Sequence, residues 1–239
     1  MTSSCASVRR ARPLLGTYVE VTACGADSAG LHRAIDLAFA AIATVHTLMS
    51  FQEPGSELSR FNRLGPAIGA SLHPWTAAVL AAAGDFRQRS QGAFDAAVGA
   101  EGRIDLSGIA KGFAVDRAVE ALRTAGVVQG IVNAGGDLAV FGEDGVDVAV
   151  RDPSDPSCLA GVVTLRNEAL ASSGRAIDPR TGRHVEAIAG ASVRAPSCMI
   201  ADALTKVVGV MGEAAVPVLH HYGASALLFR EGSAVRLAA

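Results

Sequence analysis

The 239-residue sequence predicts a single α+β domain, with strands in hairpins and a few long helices on one face. Three observations predict it. Apolar residues recur at helical spacing in four long segments, near 28–49, 75–90, 108–125 and 197–211. Short alternating or apolar runs bounded by Gly, Pro, Asp and Asn fill much of the remainder, and these are strand signals. No internal repeat and no linker of distinct composition divides the chain.

Residues 12–23 (RPLLGTYVEVTA) alternate apolar and polar and read as one strand. Asp27 or Ser28 caps a helix running to Met49, with Leu31, Ile35, Ala38, Phe39, Ile42, Val45 and Met49 on one face. A loop with a short helix from Ser56 follows. Pro74, at a first helical turn, opens an Ala-rich helix over 75–90. Residues 92–107 read as a glycine-punctuated loop entering a short strand that ends at Asp105. Gly126 closes the helix over 108–125. Strand-like runs occupy 129–134, 137–142, 145–151, 160–166, 169–172 and 190–195. Gly212 closes a helix over 197–211. Strands at 225–230 and 233–237 form a hairpin about Glu231-Gly232. Residues 1–11 read as a flexible N-terminus.

Composition narrows the function. The 21 basic and 23 acidic residues leave a net charge of −2, which argues against nucleic acid or an anionic membrane surface as partner. Half the residues are hydrophobic and 18% are charged, so the chain is not a disordered one. No run approaches the length of a membrane helix, and no secretory signal or lipobox is seen. Those features predict a cytoplasmic protein, or a periplasmic one had a leader been removed. Cys5, Cys24, Cys158 and Cys198 are too scattered for a zinc site or a disulfide framework. Lys111 and Lys206 are the only lysines; the other basic residues are arginine. Arg-for-Lys usage follows genome composition, but a compact ammonium and a planar fork differ chemically. The two lysines are therefore places to look.

Four segments concentrate chemistry. In IDLSGIAKGFAVDRAVEAL (104–122), Ser107-Gly108 opens a helix whose free N–H groups favour an anion. Lys111 in its first turn is misplaced for a cation unless it meets a negative ligand. It is either a phosphate-binding point charge or the partner of Asp105 or Asp116 on a solvated face. VNAGGDL (132–138) carries two glycines, read as a hairpin turn or a site of close backbone approach. SSGRAIDPRTGR (172–183) holds Asp178, Thr181 and three Arg residues, read as a solvated loop or a contact for an anionic ligand. In SCMIADALTKVVGVMG (197–212), Asp202 and Lys206 share a helix face, either as a surface ion pair or as an acid and a cation in a rigid site.

LLGTYVEV, MSFQEPGSELSRFN, GAFDAAVG, IDLSGIAKGFAVDRA, VNAGGDL, SSG, IDPRTGR and ADAL occur in one order along almost the whole chain. That ordered set resembles the FAD:protein FMN transferases, the ApbE family once described as thiamine-biosynthesis lipoproteins. The resemblance implies a T-fold-like arrangement of antiparallel sheets and long helices, with FAD as ligand. It implies Mg²⁺-dependent transfer of FMN from FAD to a Ser or Thr of an acceptor flavoprotein, with release of AMP. An FAD pyrophosphatase giving FMN and AMP, or a non-catalytic FAD-binding protein, are the alternatives.

The resemblance also implies site residues. Leu15, Gly16 and Phe51 would line the flavin site, with Ala93, Phe94, Asp95, Asp105 and Lys111 contacting FAD. Asp178 and Thr181 join them from the third segment. Gly108, through its carbonyl, Asp202 and Thr205 would hold the metal. Lys111, Asp202, Lys206 and Arg175 would carry catalysis.

The departures from the family pattern are specific. The segments between F-D and I-D-L and between S-S-G and I-D-P are short here. Arg175 stands where the family has a His three residues before Asp-Pro, and it cannot act as a base because it stays protonated. Lys206 stands where the family has a Thr, with Thr205 one residue early. The Lys206 ammonium is thus expected at or beside the metal position, replacing Mg²⁺ in part.

Overall fold

The structure, a computed structural model, describes residues 6–65, 71–98, 102–153, 155 and 157–237. One antiparallel sheet of eight strands organises it. In chain order these are β1 (Ala6–Leu14), β2 (Thr17–Gly25), β3 (Gln129–Ala134), β4 (Asp137–Phe141), β7 (Glu168–Ser173), β10 (Gly190–Ala195), β11 (Ser225–Arg230) and β12 (Ser233–Leu237), and they lie side by side in that order. A separate ribbon pairs β5 (Val146–Arg151) with β6 (Leu159–Leu165), and a small one pairs β8 (Ile177–Asp178) with β9 (Arg183–His184).

The helices are α1 (Ser28–Met49), α2 (Glu57–Leu64), α3 (Pro74–Arg89), α4 (Ala110–Thr124), α5 (Cys198–Met211) and α6 (Val216–His221). Helices α1, α4 and α5 cover one face of the sheet. Their apolar stripes (Ile35, Phe39 and Ile42; Ala114, Ala118 and Leu122; Leu204, Val207 and Val208) pack with Val19, Val21, Val132 and Val193 in one core. The β5–β6 ribbon covers part of the other face, where Leu138, Val140, Leu170 and Phe229 meet Val150 and Leu165. Every residue of β4 is buried because the strand lies between these two layers.

The α+β class, the single domain and the helices on one face are as expected. Asp27 caps α1 through its carboxylate on the Ala29 and Gly30 N–H groups. Ser56 and Ser197 cap α2 and α5.

Four details differ from the sequence expectation. The run 12–23 is not one strand but parts of a hairpin, turned by Leu15 (φ 55°) and Gly16 (φ 71°). This kind of two-residue turn (type I′) takes both central residues left-handed, and Leu there goes against its own preference, so no turn signal is visible. Residues 6–11, expected to be flexible, pair with Ala11's partner strand β2 as far as Ala6 and Gly25; residues 1–5, Cys5 included, lie outside the described residues. Asp105 ends no strand: its segment is irregular, tied by its N–H to the Ala96 carbonyl at 2.7 Å and by Ile104 to Asn62. Finally, α4 begins at Ala110, and residues 212–221 form a 3₁₀ turn and α6 where no helix is expected.

Candidate active site

The site is built where the N-terminal turns of α4 and α5 meet. Gly112 makes that meeting possible. A Cβ at this position would lie 2.2 Å from the Cys198 carbonyl oxygen and 2.8 Å from the Met199 nitrogen. Asp116, one turn further along α4, accepts hydrogen bonds from the Cys198 and Met199 N–H groups at 2.8 and 2.9 Å. It satisfies two of the donors that a helix start leaves free. Burial pushes its carboxyl up, against the pull of those N–H groups. Replacing Asp116 by Ala should destabilise the protein by about 1–3 kcal/mol through the lost α5 cap, read in a denaturant titration.

This close approach places Asp202, itself buried, against α4. Its Oδ2 accepts from the Gly112 N–H at 3.1 Å, and its Oδ1 from Lys206 Nζ at 3.3 Å. The anion attracted to the start of α4 is thus the chain's own carboxylate. Lys206 Nζ also donates to Thr205 Oγ1 at 2.9 Å, while that hydroxyl donates to the Asp202 carbonyl at 2.7 Å.

Lys111 completes the group from the other side. Its ammonium lies 2.9 Å from Oδ2 of Asp137, a buried residue that follows the Gly135-Gly136 turn. The contact is an ion pair rather than an aligned hydrogen bond. Burial works to lower Lys111, but the Asp137 charge, helped by Asp202, outweighs it and holds the ammonium above its usual range. Burial, and then the Asp202 charge, push the Asp137 carboxyl up, against the pull of Lys111. Lys111 therefore pairs with neither Asp105 nor Asp116.

Beside this charged group, and reached by Lys206 alone of its members, opens a cleft of about 630 Å³. Of the sequence-predicted residues, Ala93, Phe94, Asp95, Asp105, Gly108, Arg175 and Lys206 line it, with Pro179 and Gly182 beside Asp178 and Thr181. Phe94 rests on Phe86, which stacks on Tyr222 at 4.4 Å, so the aromatic wall is backed by the core. Other residues are engaged by their own loops. Asp95 accepts from Arg87 at 2.7 Å and from the Ala97 N–H at 2.9 Å. Asp178 holds the Arg180 guanidinium at 2.8 and 2.9 Å, and Thr181 Oγ1 accepts from the Arg183 N–H at 3.3 Å. Arg175 pairs with Glu186.

Leu15 and Gly16 lie elsewhere, at an open concavity with Tyr18 and His46. The Gly135 backbone lies against the side chain of Thr17, which lines that concavity. Phe51 lies under Arg103, whose guanidinium is 5.6 Å from the ring centre.

The oxygens expected to hold a metal do not fit a divalent ion. Both oxygens of Asp202 and the Thr205 hydroxyl are already engaged, two of the three by the Lys206 ammonium. The Lys206 side chain also runs along Gly108, with Cγ 3.6 Å from where a Cβ would stand. Among the described residues, no three His, Cys, Asp or Glu side chains are grouped as metal ligands.

Sequence reasoning missed Asp137, Gly112 and Asn62 as site-building residues. Asp137 carried a signal, since two glycines precede it directly in a segment already noted. Gly112 carried a weaker one, a glycine in a first helical turn. Asn62 carried none: its amide clamps the Ile104 N–H and C=O at 2.8 Å each, across 42 residues of sequence.

An antiparallel sheet with helices on one face, and a cleft whose lining includes Lys206 beside a cluster of Lys111 and two buried aspartates, defines an α+β protein with one candidate ligand cleft. The chain belongs to the ApbE family, whose sequence profile matches residues 15–103 and 99–228. It is 35% identical over 129 residues to an FAD:protein FMN transferase of Rhodobacter capsulatus, covering 46% of this chain and 24% of that protein. It is 33% identical over 130 residues to one from Vibrio cholerae, covering 46% of this chain and 39% of that protein. These alignments thus span well under half the length of each relative.

Two solved structures share the fold. A flavin transferase ApbE of Vibrio cholerae superposes with a TM-score of 0.80 at 21% identity, over 97% of both chains. The ApbE protein of Thermotoga maritima gives 0.84 at 20% identity, again over 97% of both chains. Among the described residues, no helix is long and apolar enough to cross a membrane.

Proposed function

We propose that this chain transfers the FMN half of FAD to a Ser or Thr hydroxyl of an acceptor protein and releases AMP. The observation that supports it most is the convergence of an aromatic wall (Phe94) and a fixed ammonium (Lys206) in one cleft. FAD offers a flat ring at one end and a diphosphate in the middle, and such a cleft suits both. Family membership adds to this, since the relatives named above carry that activity in their names.

The chemistry needs little covalent help from the protein. The acceptor oxygen bonds to the FMN phosphorus, the bond from that phosphorus to the bridging oxygen breaks, and AMP leaves with the bridging oxygen. The hydroxyl proton goes to solvent. Charge neutralisation and positioning dominate such a displacement. The Asp202 and Thr205 oxygens that Mg²⁺ would need are taken, so neutralisation falls to Lys206 directly and to Lys111 through the field it shares with Asp137 and Asp202. Ala93 and Phe94 supply apolar contact, and Asp105 supplies a hydrogen-bond acceptor. Arg175 stays protonated and serves as a positive charge rather than a base.

Incubation with FAD and a Ser/Thr acceptor protein tests the reading. Flavin that stays on the acceptor after denaturation, with an equal amount of AMP, is the expected result. FMN and AMP without labelling would instead mean hydrolysis, and unchanged FAD would mean binding alone.

A further inference from the structure

We propose that the Lys206 ammonium is the resident cation of this site, so that the cleft binds a diphosphate ligand without a divalent metal. The proposal rests on the reading of the cleft as a diphosphate site. Three features carry it.

The first is geometry. Lys206 Nζ sits on Asp202 Oδ1 and Thr205 Oγ1, and the other Asp202 oxygen is held by the Gly112 N–H. A divalent ion could enter only by expelling the ammonium. Mg²⁺ in particular demands near-ideal octahedral oxygen coordination. One shared carboxylate, one hydroxyl already used twice and the Gly108 carbonyl fall far short of that.

The second is charge. Asp137 and Asp202 contribute two formal negative charges, and Lys111 and Lys206 two positive ones. The group is neutral as it stands. A divalent ion added to it would leave two uncompensated positive charges in a largely buried cluster, where like charges repel strongly. Without Lys206 the same group would carry one negative charge and would attract a cation.

The third is exposure. Asp202 and Thr205 are buried at 1% and 2%, whereas the Lys206 side chain is 35% exposed and lines the cleft. An ammonium has three N–H donors. Asp202 and Thr205 take two, which leaves one for a phosphate oxygen in the cleft.

The test uses the full chain and two independent readouts. Mn²⁺ is titrated into the metal-free protein and followed by electron paramagnetic resonance. No stoichiometric binding is expected in the wild type. One tight site that disappears in Asp202→Asn would overturn the proposal, whatever the protein does with FAD. Separately, inorganic pyrophosphate is titrated in EDTA by calorimetry. Binding is expected in the wild type, and about tenfold weaker binding in Lys206→Met, the loss of one charge-assisted hydrogen bond. Pyrophosphate that binds only when Mg²⁺ is supplied would overturn the proposal while leaving flavin transfer intact. Unchanged affinity in Lys206→Met would also overturn it. Should Lys206→Met fail to fold, Lys206→Gln takes its place, and the wild-type Mn²⁺ titration decides without either variant.

Discussion

Lys111→Ala should lower FAD turnover by about 100-fold, the size expected when one fixed positive charge is lost from a phosphoryl-transfer site. The ammonium is the partner of buried Asp137 and shares the field of Asp202. Its removal leaves two buried carboxylates and one lysine in the charged group behind the cleft, whose net negative charge then repels the diphosphate. Full activity in this variant would reject the assignment of the site.

The same substitution also costs stability, about 1–3 kcal/mol at neutral pH, because Asp137 loses its counter-charge. The sign of the pH effect follows from the Asp137 carboxyl. It is already pushed above its usual range by burial and by Asp202, and loss of Lys111 pushes it further. A carboxyl raised on folding costs stability when ionised, and that cost is relieved as pH falls through its raised range. The deficit of Lys111→Ala relative to wild type should therefore shrink on acidification, measured by thermal melts across pH. Adding Asp137→Asn should restore much of the stability but not the turnover. A double variant that regains turnover would show that Lys111 acts only as a structural counter-ion.

Gly112→Ala should be the most damaging single methyl in the molecule. The added carbon would stand 2.2 Å from the Cys198 carbonyl oxygen and 2.6 Å from its carbonyl carbon. These are backbone atoms at the start of α5, so no rotamer change relieves the clash. Helices α4 and α5 must separate, at a cost of about 3 kcal/mol or more. A fall in melting temperature of roughly 10 °C is expected for a chain of this size. The separation also moves Asp202 away from the Gly112 N–H and loosens Lys206.

The control is Gly84→Ala. Gly84 lies exposed on α3 with nothing within 4 Å of its Cβ position. There the methyl only improves helix propensity and should stabilise by about 0.5–1 kcal/mol. Equal effects at the two glycines would mean that the α4–α5 contact is not close-packed as described.

Much of this architecture was legible from local pattern. Asp27 and Ser56 announced their helices because a cap is a contact within three residues. The apolar stripe of α1 was readable because its period is set by the helix itself. The β1–β2 turn was not, because Leu15 takes a left-handed conformation that its side chain disfavours, and only strand pairing holds it there. The strand expected before Asp105 failed for a related reason. Its alternation was present, but Asn62 of α2 took the Ile104 backbone groups that a neighbouring strand would have used.

The site divides along the same line. By itself the sequence determined the α+β class, most element boundaries, the family resemblance and the segments where chemistry is concentrated. It also marked two lysines as out of place. The tertiary structure alone decided what they meet. It set Lys111 on Asp137, 26 residues away, and the Gly112 N–H on Asp202, 90 residues away. It also put the Lys206 ammonium on the oxygens where a metal was expected. Periodicity and capping act over a few residues and leave a trace in the order of amino acids. Charge pairing acts through space, and which carboxylate a lysine meets is settled only when two helices close on a glycine.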